Sequence, residues 1–295
     1  MTFISIRRVA SMAVAVGTLL LPLGASLAAA DRERLAPRIA ATPVPAGATA
    51  ILIDGEPTEK AWDAAPVIAD FLQRRPKEGA APGLLIHFEI FGVNNHIRDV
   101  CRRFAEQGFA ALAPDYFWRQ EARVFPYSES KPAFAAANRL QDAEMISDAA
   151  SCIKYLHEQP FVKKGKLGTL GFCMGGRLSF LMGTQFPDEF GAIVCFYGGG
   201  LAGEPRFQGF TINTMEQAPK VKAPVLLFYG ALDKMITHDL VDRFTARLKE
   251  VAKGYQCFIY PGADHGFFCN ERPSYNAGAA ADAWEKSLTF LKNNL

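Results

Sequence analysis

The spacing of apolar residues changes at Gly83. From there onward, short continuous apolar runs alternate with segments whose apolar residues recur every three or four positions, the marks of buried parallel strands and amphipathic helices. Predicted strands fall at 84–88, 109–113, 165–172, 192–197, 225–229 and 256–260, and predicted helices at 95–106, 142–159, 177–185, 238–252 and 279–292. In the last helix Trp284, Leu288 and Leu291 fall on one face. Alternation of this kind demands an α/β fold, a mostly parallel sheet with helices on both faces, because right-handed crossovers are the connections available. The stretch 114–140 reads as a long connection rich in aromatic and charged residues. It leaves the carboxyl end of a strand, where open α/β sheets bind ligands, and is expected to form a pocket wall.

Before Gly83 the pattern differs. Residues 1–30 carry Arg7-Arg8, an apolar run over 9–21 and small residues ending Ala28-Ala29-Ala30 before Asp31. This is the order of a secretory signal peptide, and it implies a periplasmic or secreted protein with the export route left open, or a cytoplasmic one if the start is mis-assigned. Residues 31–82 form an N-terminal extension in which 51–55 suggests a strand ending in an Asp-Gly turn. Ile53-Asp54-Gly55-Glu56, Ala61-Trp62 and Asp70-Phe71-Leu72-Gln73 resemble the opening of family-9-like carbohydrate-binding modules. A sandwich needs roughly a hundred residues to close its core, so the extension is expected to pack on the domain at 83–295 instead of binding saccharide alone.

Composition narrows the partners. Lys and Arg number 32 against 30 Asp and Glu, and residues 1–30 contain only Arg7 and Arg8 as charges, so the remainder is balanced. No basic field for nucleic acid or an anionic membrane surface follows, and a small-molecule partner is expected, with no stable membrane association after signal removal. Six cysteines are scattered through strand and helix patterns, as reduced core residues are, and not clustered as in a small stapled scaffold. His87, His96, His157 and His238 lie on predicted strands or helices and read as structural; no pair has metal-ligand spacing.

The chemistry gathers at Gly171-Phe172-Cys173-Met174-Gly175-Gly176, between a strand and a helix. Strand, tight glycine turn and helix make a nucleophile elbow, here with cysteine at its apex over a helix N-terminus that favours thiolate. An α/β-hydrolase then requires an acid and a histidine, in that chain order, each just past a later strand. Asp233 and His265 occupy those places.

With Glu89-Ile90-Phe91-Gly92-Val93-Asn94, Ile97-Arg98, Pro114-Asp115 and Asp264-His265-Gly266-Phe267-Phe268, these residues resemble the dienelactone hydrolase (carboxymethylenebutenolidase) family from about Gly83 onward. The resemblance implies hydrolysis of a small enol-lactone by a Cys173-His265-Asp233 triad without cofactor or metal. It further implies a Glu89 that restrains and then helps deprotonate the thiol, and an oxyanion hole from the amides of Ile90 and Met174. Substrate carboxylate would be bound by arginines: Arg119, with Tyr116 nearby, corresponds to one. The other family position, four residues after the histidine, is Cys269 here, and Arg272 is the nearest arginine. A broad-specificity carboxylesterase, or a saccharide-targeted binding protein with an impaired hydrolase body, are the alternative readings.

Overall fold

The computed structural model describes residues 80–295, apart from 205 and 252–253, together with residues 4–7 and 68–71. The last two stretches are β1 (Ile4–Arg7) and β2 (Ile68–Phe71), which pair antiparallel as a separate two-stranded sheet. The rest of the expected signal peptide, and the rest of the extension resembling a carbohydrate-binding module, lie outside the described residues.

Six strands form the main sheet: β3 (Gly83–His87), β4 (Ala110–Leu112), β5 (Leu167–Phe172), β6 (Phe190–Phe196), β7 (Val225–Gly230) and β8 (Tyr255–Tyr260). Their order is β4-β3-β5-β6-β7-β8 and every pairing is parallel. After β3 the chain first adds β4 on one side, then crosses to lay β5 on the other. The order therefore reverses between β3 and β5, and a crevice opens there at the carboxyl ends. Phe88-Glu89-Ile90 leaves β3 and Cys173 leaves β5 at this point.

Every residue of β3, β5 and β7 is buried. Phe172, Phe196, Phe228 and Phe258 occupy paired positions on four successive strands, with neighbouring rings 4.8, 4.7 and 5.8 Å apart. Aromatic pairs contribute about 0.5–1.5 kcal/mol each beyond buried area, so this ladder fixes the register of the half-sheet that carries the site. The C-terminal helix Ala277–Asn294 buries Leu288 and Leu291 as its spacing predicts, and Trp284 packs on Phe104 at 4.5 Å.

Two short helices escape the sequence pattern. The stretch 114–140, expected as an irregular connection, contains the helix Ser130–Ala137. Pro132 sits in its first turn, where a missing N–H costs nothing, but a proline near a run of alanines hides the apolar period. Thr214–Gln217 is a single turn capped by Asn213, too short to show periodicity.

The helix following the elbow, Met174–Gln185, is buried along nearly its whole length, so it needs an internal anchor. Arg177 supplies it, donating to both oxygens of Asp142 at 2.7 and 2.9 Å. The amide of Ile212 also donates to Asp142, and Arg177 donates in turn to the Ile212 carbonyl. Both side chains are almost fully buried, and breaking such a pair leaves an uncompensated charge at roughly 3–5 kcal/mol. Asp142→Ala is expected to lower unfolding stability by that amount in a urea titration, whereas loss of under about 1 kcal/mol would show that the pair carries little of the fold.

Candidate active site

Cys173 occupies the apex of the elbow with φ 55° and ψ −116°, a conformation that side-chain-bearing residues rarely adopt. Its amide donates to the Phe196 carbonyl at 2.9 Å, and its own carbonyl accepts from Gly176 and Arg177, so both arms of the turn are held. The glycines make room for it. A Cβ built on Gly171 would lie 2.1 Å from the Gly175 carbonyl oxygen, and one on Gly175 would lie 2.2 Å from that of His87. The helix thus starts in backbone contact with the end of β3. Gly175 there meets the carbonyls of both His87 and Phe88, with Met174 just before it and Ile90 just after them in the chain. As the first helical residue Met174 has no intrahelical partner for its N–H, and among the described residues no acceptor engages the Ile90 N–H.

On the far side of Cys173, Asp233 and His265 leave β7 and β8. His265 Nδ1 lies 2.8 Å from Asp233 Oδ2 and must be the donor, since a carboxylate only accepts. Asp233 Oδ1 accepts from the amides of Met235 and Ile236 at 2.8 and 3.0 Å, which fixes the carboxylate. Burial disfavours a charged imidazole, but the adjacent Cys173 sulfur and the Asp233 hydrogen bond outweigh it and raise the His265 pKa to about 10. Its buried Nε2 pairs with no other group among the described residues. An imidazolium beside a thiol is the arrangement that makes a cysteine nucleophilic.

Glu89 is buried just past β3, with Arg272 donating to Oε1 and the Tyr127 hydroxyl to Oε2, both at 2.9 Å. Both oxygens are thus engaged away from the thiol, so the expected restraint of Cys173 by Glu89 has no contact in this structure. Tyr127 and Cys269 complete the surroundings of Glu89. Burial first, and then the Glu89 charge, push the Cys269 thiol up to about 12.

The structure brings together Cys173, Asp233, His265, Glu89, Ile90, Met174 and Arg272. Arg119 and Tyr116 are held elsewhere. Arg119 is locked to Asp148 through two hydrogen bonds of 2.7 and 2.9 Å, and with Tyr116 lines a separate cleft. The Tyr116 hydroxyl is spent on His87 Nδ1 at 2.7 Å, while His87 Nε2 meets the Thr169 hydroxyl. Burial lowers the His87 pKa to about 3, a neutral structural histidine as its strand position predicts.

Beside the histidine lies a cleft of about 420 Å3 lined by Asp233, Lys234, Met235, His265, Arg272 and Ser274 among others. Lys234 and Ser274 have no sequence signal beyond standing next to Asp233 and Arg272. Tyr197, also missed, ends the β6 run with its ring 5.0 Å from His265. Among the described residues no cluster of His, Cys, Asp and Glu is arranged to hold a metal, and no helix is long and apolar enough to cross a membrane. All six cysteines are free thiols.

A strained elbow on a parallel sheet, facing a carboxylate-backed histidine from a later strand, places the chain among the α/β-hydrolases. Its relatives narrow the class. A protein of Synechocystis sp., provisionally named a carboxymethylenebutenolidase, is 37% identical over 233 residues, 77% of this chain and 92% of that protein. The crystal structure of a provisionally assigned dienelactone hydrolase from Klebsiella pneumoniae superposes with a TM-score of 0.67 at 30% identity, covering 74% of this chain and 90% of the other. A dienelactone hydrolase-like promiscuous phosphotriesterase from metagenomic libraries gives 0.60 at 26% identity over 74% and 88%. The sequence profile of the dienelactone hydrolase family matches residues 69–295, and the chain belongs to that family, a hydrolase of the dienelactone hydrolase type. The match begins upstream of Gly83, so the boundary read at residues 82 and 83 falls inside the family's span.

Cys101, Cys152, Cys195 and Cys269 are buried and burial raises each of their pKa values; the half-buried Cys257 is raised to about 11. Iodoacetamide at neutral pH should therefore alkylate Cys173 ahead of the other five, as read by peptide mass mapping. Faster labelling of any other thiol would remove the basis for treating Cys173 as the activated one.

Proposed function

We propose that this chain hydrolyses small lactones or carboxylic esters through an acyl-cysteine intermediate, with Cys173 as nucleophile, His265 as acid and base, and Asp233 as the residue that orients it. The observation that supports this reading is the Asp233–His265 hydrogen bond beside Cys173, whose sulfur helps raise the histidine pKa to about 10.

In acylation the Cys173 sulfur attacks the carbonyl carbon. A C–S bond forms as the C=O electron pair moves onto oxygen, which the Ile90 and Met174 amides receive. Collapse restores the carbonyl and breaks the C–O bond, and the leaving oxygen takes the proton from His265 Nε2. Neutral His265 then removes a proton from water, whose oxygen attacks the thioester. The acid leaves, and the sulfur departs as thiolate beside the imidazolium. No cofactor is needed for any of these steps.

Among substrates, the placement of the arginines favours uncharged esters and lactones, the broad-specificity reading, over an enzyme that demands an anionic lactone. Arg119 is committed to Asp148 and Arg272 to Glu89, so neither guanidinium stands free for a substrate carboxylate.

Purified protein should turn over a chromogenic acetate ester, and Cys173→Ala should reduce that turnover by about 10³ or more. Equal turnover by both proteins would sink the thiol mechanism. The pH profile follows from the same geometry. A raised pKa keeps the imidazolium protonated until pH rises through about 10, so kcat/KM should hold through the neutral range and fall on an alkaline limb near that value. Asp233→Asn removes a charge and hydrogen bond that raise this pKa, so the limb should move to lower pH; a limb that stays in place would assign it to another group.

A further inference from the structure

Tyr197 is the one residue among those described, besides Cys173, that bears a side chain and takes a positive φ, here 38°. It immediately follows β6, and its amide donates to the Phe228 carbonyl at 2.7 Å, which holds the strained backbone in place. The side chain is wholly buried, and its hydroxyl has no hydrogen-bond partner among the described residues. A buried hydroxyl left unpaired and a backbone held in a disfavoured region both cost stability, and such costs persist at sites where they serve a function. The ring packs edge-on against His265 at 5.0 Å and against Phe267 at 5.4 Å.

We propose that the Tyr197 hydroxyl is a further catalytic group of this site, donating a hydrogen bond to the leaving-group oxygen of the bound ester or lactone. The proposal rests on the ester-hydrolysis reading above. Sheet order selects the leaving oxygen over the oxyanion. The Ile90 and Met174 amides stand on the β3 side of Cys173, whereas Tyr197, Asp233 and His265 come from β6, β7 and β8 on the other. The His265 proton goes to the leaving oxygen, and the tyrosine ring lies against that imidazole. As the C–O bond breaks, its electron pair goes to the leaving oxygen; that oxygen is protonated by His265 while accepting the phenolic hydrogen bond, and the phenol keeps its proton. Burial drives the Tyr197 pKa well above its ordinary value, with the Glu89 charge acting in the same direction, so the group donates a hydrogen bond without ionising. Neither the elbow motif nor the triad order requires a tyrosine here.

The test is Tyr197→Phe, assayed beside the unaltered protein and Cys173→Ala on acetate esters of graded leaving-group pKa, from 4-nitrophenyl through phenyl to alkyl. A hydrogen bond to an oxygen that gains charge is worth most where the leaving group is poorest. The expected result is a loss in kcat/KM of under about twofold for 4-nitrophenyl acetate, growing to about tenfold or more at the alkyl end. The melting temperature should be unchanged or slightly raised, because the substitution removes a buried unpaired hydroxyl. An equal loss across the series, no loss anywhere, or a lowered melting temperature with uniform loss would each make Tyr197 a structural neighbour of His265 and overturn the proposal. Hydrolysis that is no faster with the unaltered protein than with Cys173→Ala would instead overturn the thiol-hydrolase reading, and this proposal with it.

Discussion

The site depends on one steric fact: the first turn of the helix after Cys173 lies in backbone contact with the end of β3. At Gly175 there is no space for a β-carbon, because the His87 carbonyl oxygen would be 2.2 Å from it. That contact brings the segment after β3 beside the start of the helix. It also makes the end of β3 intolerant of movement, and His87 is immobilised accordingly, tied by one nitrogen to Tyr116 and by the other to Thr169 on β5. Arg177 and Asp142 brace the same helix from behind. The conformation of Cys173 is thus maintained by groups on several different segments.

Around the elbow the charges are arranged in two separate pairs. Asp233 spends one oxygen on His265 and the other on two amides, so it orients the ring and cannot swing. Glu89 spends one oxygen on Arg272 and one on Tyr127. A buried carboxylate next to a thiol would oppose ionisation by like-charge repulsion, but one neutralised by a guanidinium does so weakly. The pairing of Glu89 with Arg272 therefore limits the repulsion that its charge exerts on the elbow.

Much of this was legible in the sequence because strands and their exits leave a strong local signature. The six apolar runs place all six strands of the main sheet, and Cys173, Asp233 and His265 each stand just past one. What the sequence does not display is where long side chains end. Arg119 reads as a carboxylate binder from its loop, yet Asp148, a helix residue 29 positions on, claims it. Tyr116 reads as a pocket residue and is captured by a histidine inside the sheet. Tyr197 looks like the last apolar residue of a strand, since neither its positive φ nor its unpaired hydroxyl is written in residue type. Ser130–Ala137 was hidden for a different reason, because a proline and an alanine run carry almost no periodic signal.

Where the resemblance places an arginine, at position 269, this chain has Cys269, and the loop brings Arg272 to Glu89. Amides at 269, 272 and 275 donate to carbonyls at 266, 269 and 272, so the loop winds through three successive turns of three residues. Arg272 lies three residues beyond Cys269, and its guanidinium returns over Gly266 to reach Glu89. An arginine arriving from that direction meets the glutamate end-on with a single nitrogen and keeps its ring contacts with Phe91 and Tyr127. Its charge is then used up within the protein, and besides Asp233, His265 and Arg272 the cleft has Lys234, Asp264 and Ser274 as its polar features. With Arg119 held by Asp148 and Arg272 by Glu89, the proposed preference for uncharged substrates follows from the way the protein spends its own charges.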